Sequence, residues 1–397
     1  MSVSKILFAL AAVGAGVASA QSSSCKASTI TVSTPAEATI GCKTVSGSVV
    51  FEASDDLTGA ILINGPETIQ GDLIIKNATA IQSLGSSTIS KIGGKFELQG
   101  LRSLSTIDFS ALEEVEEISW ITLTSLEGVT FGTDGVTTVK KVRISDTFLG
   151  SLDNFKMASV GTFQIDNNKL LTTWETKLTN ITDELIVADN SQDLQVSFPR
   201  LTNAGDIDVR GVKSLSVPLL KEVTGSILLT ENDAMESFIA PNFTKSGESV
   251  SVRNNDNLSN VSFPLLERTG GSLTIQNNQK LVTIDGFPEL VTVEGAVTMR
   301  GNFTEIELPK LDDVRGAFDV QSTEDIAEAC SAFEKLSPDG GNGHIQGSFD
   351  CEGENENANE GGSADGSKDK EDAAGIFGAS APVVLAVAAI GGLLQLL

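Results

Sequence analysis

Acidic side chains recur at places in the sequence where they could perform acid–base chemistry. Glu184, Asp206 and Asp208 lie in segments where polar and apolar residues alternate, and all three fall on the polar face. Such alternation predicts β-strands with one buried face, and neighbouring strands lie about 4.8 Å apart. The carboxyl groups would then approach the roughly 5 to 9.5 Å separation that glycoside hydrolysis requires. These columns contain no aromatic residue to stack on a sugar, so we favour a solvated sheet face over a glycan-cleaving site.

Other groups with catalytic potential are scarce. The single histidine, His344, lies in GGNGHIQG without a nucleophile or a second metal ligand at a suitable spacing. That segment also lacks the glycine spacing of a dinucleotide-binding loop, and the chain has no zinc-binding or phosphate-loop pattern. We therefore predict no catalytic residue, no metal site and no cofactor.

Asparagines in Asn-x-Ser/Thr motifs, the acceptors of N-glycosylation, form the clearest chemical pattern. Corner asparagines can create this motif incidentally, which is the alternative interpretation for Asn77 and Asn302. Asn257 and Asn260 are close enough to compete for modification. The predicted N-glycosylation sites are Asn77, Asn180, Asn242, Asn257, Asn260 and Asn302.

The composition opposes binding to nucleic acid, and the N-terminus predicts secretion. It carries 27 Lys and Arg against 53 Asp and Glu, a net charge of −26, which opposes binding to nucleic-acid phosphates. The start, MSVSKILFALAAVGAGVASA, has a positive residue, an apolar centre and an Ala-x-Ala site. This pattern is typical of a secretory signal peptide that is cleaved after residue 20.

The C-terminus carries a second targeting signal. An acidic, Gly-rich segment is followed by small residues and an apolar tail that runs to the last residue. This is the pattern of a GPI-attachment signal, whose tail is removed. We predict attachment at Ala373, with Asp372 and Gly366 as alternatives. A C-terminal membrane anchor that stays in place is the competing interpretation.

The predicted strands belong to a repeat of about 20 to 24 residues. One unit, SLTIQNNQKLVTIDGFPEL, contains a strand, an Asn corner, an apolar core residue and a Pro corner. A fixed period with one strand per unit predicts a solenoid whose stacked turns share one core. The segment ISWITL belongs to the series with an ambiguous in/out phase. The predicted inward pairs are Val49/Phe51, Leu73/Ile75, Phe96/Leu98, Val142/Ile144, Phe163/Ile165, Leu185/Val187, Ile207/Val209, Ile227/Leu229, Val250/Val252, Leu273/Ile275, Val297/Met299 and Phe318/Val320.

Residues between the strands have predicted structural roles. Asparagines after the strand can adopt a left-handed conformation and close a corner, and stacked side chains there could form a ladder. These asparagines are Asn77, Asn167/Asn168, Asn190, Asn232, Asn254, Asn277/Asn278 and Asn302. The next apolar residues, predicted to fill the core, are Leu170, Leu194, Leu215, Leu258 and Leu281.

The four cysteines lie at the two ends of the repeat region, and four cysteines allow three pairings. We favour the local pairing, Cys25 with Cys42 and Cys330 with Cys351, because the others require opposite ends of the solenoid to meet. The C-terminal end also has a helical pattern. Its residues Ile326, Cys330, Phe333 and Leu336 share one face.

The segments SFPRLTNAGDIDV, VSFPLLERTGGSLTIQNNQKL and DGFPELVTVEGAV carry a family resemblance. With the two targeting signals and the end cysteines, the chain resembles the fungal GPI-anchored cell-wall organisation proteins, related to sporulation-specific wall proteins with receptor L-domain-like repeats. The resemblance covers essentially the whole chain. It implies a right-handed β-helix with leucine-rich-repeat character, N-glycosylation, and residence at the plasma membrane and cell wall. It also implies a role in wall integrity and morphogenesis, and it brings no family active site to carry over.

Together these features predict an all-β, right-handed parallel β-solenoid of about 13 turns with disulfide-closed ends and a short C-terminal capping helix. We expect a non-catalytic, GPI-anchored glycoprotein required for fungal cell-wall organisation and integrity. The alternatives are a wall-glycan hydrolase or transglycosylase, and a surface receptor or adhesin. Expected partners are wall glycans or wall mannoproteins, and the membrane through a GPI lipid; we expect a monomer that does not bind nucleic acid. The predicted regions are a signal peptide (1–20), an N-terminal cap (21–46), solenoid repeats (47–321), a C-terminal cap (322–352), a stalk (353–373) and the GPI-attachment signal (374–397).

Overall fold

The structure, a computed structural model, describes residues 25–340 and 343–359. Their chain winds into a parallel β-solenoid of about 13 turns, as the repeat predicts. No helix in the described part of the chain is both long and apolar enough to cross a membrane. The predicted signal peptide, most of the stalk and the predicted attachment site Ala373 lie outside the described residues.

One large sheet carries most of the solenoid, and smaller sheets close the other sides. Within the described residues the large sheet has 22 strands. They are Thr29–Val32, Thr44–Val45, Ser48–Phe51, Thr68–Ile69, Leu73–Lys76, Lys91–Gln99, Glu114–Leu123, Lys141–Thr147, Ser159–Asp166, Asn180–Ala188, Asn203–Arg210, Glu222–Val223, Ile227–Thr230, Lys245–Ser246, Val250–Arg253, Arg268–Thr269, Leu273–Gln276, Thr292–Val293, Val297–Gly301, Asp313–Val314, Phe318–Ser322 and Phe349–Glu352. The smaller sheets are formed by Gly59–Leu62, Ile81–Gly85, Thr106–Asp108 and Gly128–Thr130; by Thr173–Glu175, Gln195–Ser197 and Ser214–Ser216; by Ser237–Ile239 and Asn260–Ser262; and by Thr283–Ile284 and Glu305–Ile306.

The inward-facing pairs of the large sheet build the core. Every predicted pair is buried, and equivalent residues are in register from turn to turn, for example Leu273 opposite Val297. The structure also settles the phase of ISWITL. Ile118 pairs with Phe96 and Trp120 with Leu98, so both face inward. Stacked turns therefore bury each other's apolar faces, as a solenoid requires.

Buried asparagines form a ladder at one corner, but in one turn the ladder residue is Asn255 and not the predicted Asn254, which is exposed. Oδ1 of Asn255 accepts hydrogen bonds from the backbone N–H (2.9 Å) and Nδ2 (3.0 Å) of Asn232, and Asn278 accepts the equivalent pair from Asn255. Asn168 and Asn190 form a second, separate step. The left-handed conformation is adopted by the residue before each ladder asparagine and not by the asparagine of the ladder itself. The backbone angle φ is 56° at Glu231 and 54° at both Asn254 and Asn277.

One predicted core residue was wrong by a single position. Leu170 is 45% exposed, whereas Leu171 is 1% exposed and fills the core. The backbone N–H of Leu171 bonds the carbonyl of Asn168 at 3.2 Å. This tight turn carries the third residue after the ladder asparagine inward, and the equivalent bond places Leu281 after Asn278.

The predicted disulfides form at both ends of the solenoid. Cys25 pairs with Cys42 and Cys330 with Cys351, at Cα separations of 5.7 and 5.5 Å. The regions predicted as caps each add a strand to the large sheet, Thr29–Val32 and Phe349–Glu352. The N-terminal end also has a 3-10 helix, Pro35–Ala38, and the C-terminal end has the α-helix Ala327–Glu334.

The C-terminal helix covers the last core layer. Phe333 is buried and its ring lies 4.9 Å from that of Phe318. Ile326 is buried, and Cys330 and Leu336 are partly buried against the same core. The predicted apolar face is therefore the face that seals the end of the solenoid, which would otherwise expose its last core layer to water.

Candidate functional site

The large sheet brings the three predicted carboxylates together on its outer face. Glu184 is paired in register with Asp206, and Ile186 with Asp208, so the acidic residues occupy adjacent strands. None of the three is fully buried. The sequence thus predicted the location of this cluster correctly, and the bonds of each carboxylate determine what it can do.

Asp206 holds the backbone of the next turn. Its Oδ1 accepts the N–H of Ser226 at 2.7 Å. The same bond recurs where other turns enter the large sheet: Asp72 Oδ1 accepts the N–H of Lys95 at 2.7 Å, and Ser272 Oγ that of Ala296 at 3.1 Å. Asp206 therefore performs the structural task that a serine performs elsewhere. This role was not predicted from the sequence. The Gly-Ser or Gly-Asp pair that recurs before the strand is the pattern that indicates it.

Asp208 is paired with Arg210, two residues further along the same strand. Nε of Arg210 donates to Oδ1 of Asp208 at 3.1 Å and Nη2 donates to Oδ2 at 2.8 Å. This hydrogen bonding raises the pKa of Arg210. Both oxygens of Asp208 are therefore engaged in a charge-assisted, bidentate pair.

Glu184 has a perturbed acidity. Partial burial raises the pKa of Glu184, and the negative charges of Asp206 and Asp208 raise it further. A raised pKa is the property of a general acid. Glycoside hydrolysis also needs a second carboxylate that acts as nucleophile or base. Asp208 is bonded through both of its oxygens, whereas Asp206 is bonded through Oδ1 alone.

His344 joins the C-terminal loop to the solenoid. Its Nδ1 lies 2.7 Å from both the backbone oxygen and Oδ1 of Asp312. Its carbonyl oxygen accepts the N–H of Val314 at 2.9 Å. These contacts give the histidine a structural role. In the described part of the chain no three His, Cys, Asp or Glu side chains are grouped to hold a metal ion.

The six predicted glycosylation sites are spread over the solenoid rather than gathered at one place. Asn77 and Asn242 are exposed, and Asn180, Asn257, Asn260 and Asn302 are half-buried. Oδ1 of Asn302 accepts hydrogen bonds from Thr323 Oγ1 at 3.0 Å and Asn359 Nδ2 at 2.7 Å. The stalk segment thus approaches this asparagine, and modification at all six sites stays a prediction.

A cleft of about 480 Å³ lies at the C-terminal end, beside the helix. Its lining includes the disulfide of Cys330 and Cys351, the ring of Phe349 and several acidic side chains, among them Glu334 and Glu352. The lining contains no Lys or Arg, so it opposes an anionic ligand.

Comparison with known proteins places this architecture among fungal surface proteins. "Protein ecm33" of Aspergillus fumigatus is 32% identical over 326 residues, covering 81% of the chain and 79% of that protein. "Cell surface GPI-anchored protein" of Arthroderma benhamiae is 31% identical, covering 89% of each. "Sporulation-specific protein 2" of Saccharomyces cerevisiae is 30% identical, covering 77% of the chain and 60% of that protein. No protein-family profile and no solved structure matches the chain.

Proposed function

Because the chain belongs to the fungal family of Ecm33 and sporulation-specific cell-wall proteins, we propose that it is a non-catalytic, GPI-anchored glycoprotein that organises the cell wall and maintains its integrity. The family is one of GPI-anchored surface and cell-wall proteins. The chain shares its location on the secretory pathway, at the outer face of the plasma membrane and in the wall.

The hydrogen bonds of the carboxylates on the sheet face support the proposal that the chain is non-catalytic. Asp206 accepts a backbone N–H and Asp208 is held by Arg210. A glycan hydrolase with Glu184 as its acid would need Asp208 to leave Arg210, or Asp206 to act through Oδ2 while Oδ1 holds the backbone of the next turn. The wall-glycan hydrolase is therefore the weaker candidate, and the raised pKa of Glu184 is the observation that keeps it testable.

The outer face of the large sheet is the surface we propose for wall glycans or wall mannoproteins. Its central column is in register over many turns, and most of its side chains can form hydrogen bonds. Such groups repeat about every 4.8 Å along the solenoid, which suits a polymer that runs along the column. The column includes Arg143, Gln164, Asp208, Ser251, Thr274 and Thr298, with Ile186 and Leu228 between them. Ser251 and Thr274 are only 5% and 6% exposed, so the accessible polar side chains of the column are the other four.

Co-sedimentation of the purified chain with insoluble wall glucan and mannan tests this surface. Replacing the exposed Arg143 and Arg253 of the large sheet with Ala should weaken binding about tenfold, because each guanidinium offers several donors. The matched control replaces Gln195 and Ser214, which lie on the smaller three-stranded sheet, and should leave binding unchanged. Equal binding by both variants would contradict the proposal that the outer face of the large sheet binds wall polymers. Retention mediated by attached glycans, or a receptor role with a protein ligand, would then be favoured.

A genetic experiment tests the role in wall integrity. Cells that lack the chain should become sensitive to wall-perturbing dyes. The chain carrying Glu184→Gln, which removes the candidate acid and lies outside the proposed binding column, should restore resistance if it folds. Failure of that folded variant to restore resistance would contradict the non-catalytic scaffold.

A further inference from the structure

One corner of the solenoid presents two exposed leucines on either side of a predicted glycosylation site. In three consecutive turns the residue after the corner proline is Leu219, Asn242 and Leu265. These positions are equivalent because the strands that begin three residues later are paired in register. Neighbouring turns are about 4.8 Å apart, so the three side chains form a short column of roughly 10 Å.

Both leucines retain much of their surface in water. Leu219 is 45% exposed and Leu265 is 44% exposed. The next residues of the same column are charged, Arg200 on one side and Glu289 on the other. Within this column the apolar side chains are therefore those of the two turns that flank Asn242; Ile239 and Val291, outside the column, are also exposed, at 45% and 37%.

The amide of Asn242 points along this column. Its Nδ2 donates to the carbonyl oxygen of Pro218 at 2.7 Å. That carbonyl directly precedes Leu219, so the amide nitrogen lies beside the peptide of the leucine. An N-glycosylated asparagine keeps one N–H on the same nitrogen. When that N–H is the one that faces Pro218, the bond is retained and orients the attached sugar.

We propose that the N-glycan of Asn242 is seated on Leu219 and Leu265, with its innermost N-acetylglucosamine units lying across both side chains. The C–H faces of these sugars and their acetyl methyl groups are apolar, so contact removes apolar surface from water on both partners. The proposal rests on the predicted N-glycosylation and adds a structural purpose for one glycan. We name this column, Leu219, Asn242 and Leu265, the glycan seat.

The glycan seat differs from a comparable sequon on the same solenoid. Asn257 makes the same type of bond, from Nδ2 to the carbonyl of Asp233 at 2.6 Å. Its neighbours in the equivalent positions are Ala234 and Lys280. A glycan at Asn257 would therefore find no apolar surface to cover.

The chain offers a matched pair of substitutions that tests the seat. Thr244→Ala removes the sequon of Asn242 and also a hydrogen bond from Thr244 Oγ1 to Lys221 O at 3.1 Å. Thr202→Ala removes the same bond at the same corner, from Thr202 Oγ1 to Thr179 O at 3.1 Å, without touching a sequon. It also removes an exposed bond that Thr202 Oγ1 accepts from Asn203 Nδ2 at 2.9 Å, so this control loses at least as many bonds as Thr244→Ala. Any additional effect of Thr244→Ala therefore reports the glycan.

The experiment uses the full chain purified from a fungal host, with glycopeptide mass spectrometry followed by thermal unfolding. We expect Asn242 to be occupied, and Thr244→Ala to lower Tm by about 2 °C more than Thr202→Ala. The difference should vanish when Leu219→Ser and Leu265→Ser are both present. Trimming the glycan to its first N-acetylglucosamine should preserve most of the effect, because the seat contacts the innermost sugars.

Three results would contradict the proposal that the glycan of Asn242 covers Leu219 and Leu265. They are an unmodified Asn242, equal Tm values for Thr244→Ala and Thr202→Ala, and a difference that persists without the leucines. If other sequons are occupied while one of these results is found, only the seat fails. If no sequon is occupied, the predicted N-glycosylation fails with it.

Discussion

The middle and the C-terminal parts of the solenoid solve the same stacking problem in different ways. Between residues 91 and 210 the large-sheet strands are long and mostly unbroken, and the core is aromatic: Trp120 lies against Phe96, Phe131 and Phe155 at 5.7 to 6.0 Å. From residue 222 to 322 each strand is split into two short pieces. The buried asparagine ladder spans three turns there, from Asn232 to Asn278, against the single step of Asn168 and Asn190 in the middle part.

The spacing of inward residues explains the difference in the strands. In the C-terminal part three residues always separate the inward residues on either side of the bend, as between Val293 and Val297. In the middle part the number varies, with two residues between Val160 and Phe163 but three between Ile181 and Leu185. The pairing registers shift at these places, as β-bulges do. Uniform spacing therefore accompanies regular split strands, whereas mixed spacing accompanies bulges. Aromatic contacts occur in both parts, since Phe263 also contacts Phe238 and Phe287 in the C-terminal core.

Removing the centre of the ladder should have the largest effect on stability. Asn255→Ala deletes the acceptor of Asn232 and the donor to Leu229 O, and leaves these buried groups unpaired. Unpaired buried groups cost about 1–3 kcal/mol each, so we expect a loss of roughly 3–5 kcal/mol. Urea unfolding measures it. Asn254→Gly is the control, because Asn254 is exposed and left-handed, and it should cost less than about 1 kcal/mol.

The glycine bends of the C-terminal part should come next. A Cβ at Gly295 would lie 2.7 Å from the carbonyl carbon of Gly271 in the preceding turn. Gly295→Ala should therefore push the two turns apart and cost about 1–3 kcal/mol. Gly128 has only a side-chain atom at 3.8 Å, so Gly128→Ala should be neutral or slightly stabilising. Equal Tm values for both variants would contradict the close approach of the bends.

Removing the polar group of Trp120 in the middle part should cost less stability than removing the amide of Asn255 from the ladder. Nε1 of Trp120 is buried and has no hydrogen-bond partner in the described part of the chain. Trp120→Phe loses ring volume but also removes this unpaired N–H, so we expect a cost below about 2 kcal/mol. A cost as large as that of Asn255→Ala would mean that the two regions do not differ in this way.

The smallest effect should be a pH-dependent one on the sheet face. Burial, and then the charges of Asp206 and Asp208, raise the pKa of Glu184 in the folded protein, so the folded state binds its proton more tightly than the unfolded state. Stability contributed by this group falls as pH rises from the unfolded pKa through the raised folded pKa. Glu184→Gln should therefore raise Tm slightly at pH 7 relative to the unmodified chain. At a pH below the ordinary glutamate pKa this advantage should be absent, and a constant difference across pH would contradict the assignment.

Much of this architecture follows from the sequence because period-two alternation inside a fixed repeat leaves few alternatives. The inward pairs, the local disulfides and the face of the C-terminal helix were all predicted correctly. Single-residue choices at the corners were not. Leu170 and Leu171 are chemically identical, and only the tight turn after Asn168 decides which one is buried.

The candidate site was harder to predict than the fold. Sequence spacing placed Glu184, Asp206 and Asp208 together, but the bonds of each group depend on atoms contributed by other turns. The N–H that bonds Asp206 belongs to Ser226, which is 20 residues away in the sequence. The two groups meet only when the turns are stacked.

The most direct test of the central claim is the release of new reducing ends from fungal wall glucan and mannan by the purified, folded chain. A scaffold whose sheet-face carboxylates serve the fold should release none above the level of a buffer control, at any pH around the pKa of Glu184. Release that Asp208→Asn abolishes in a folded variant would contradict the account and identify the sheet face as an active site.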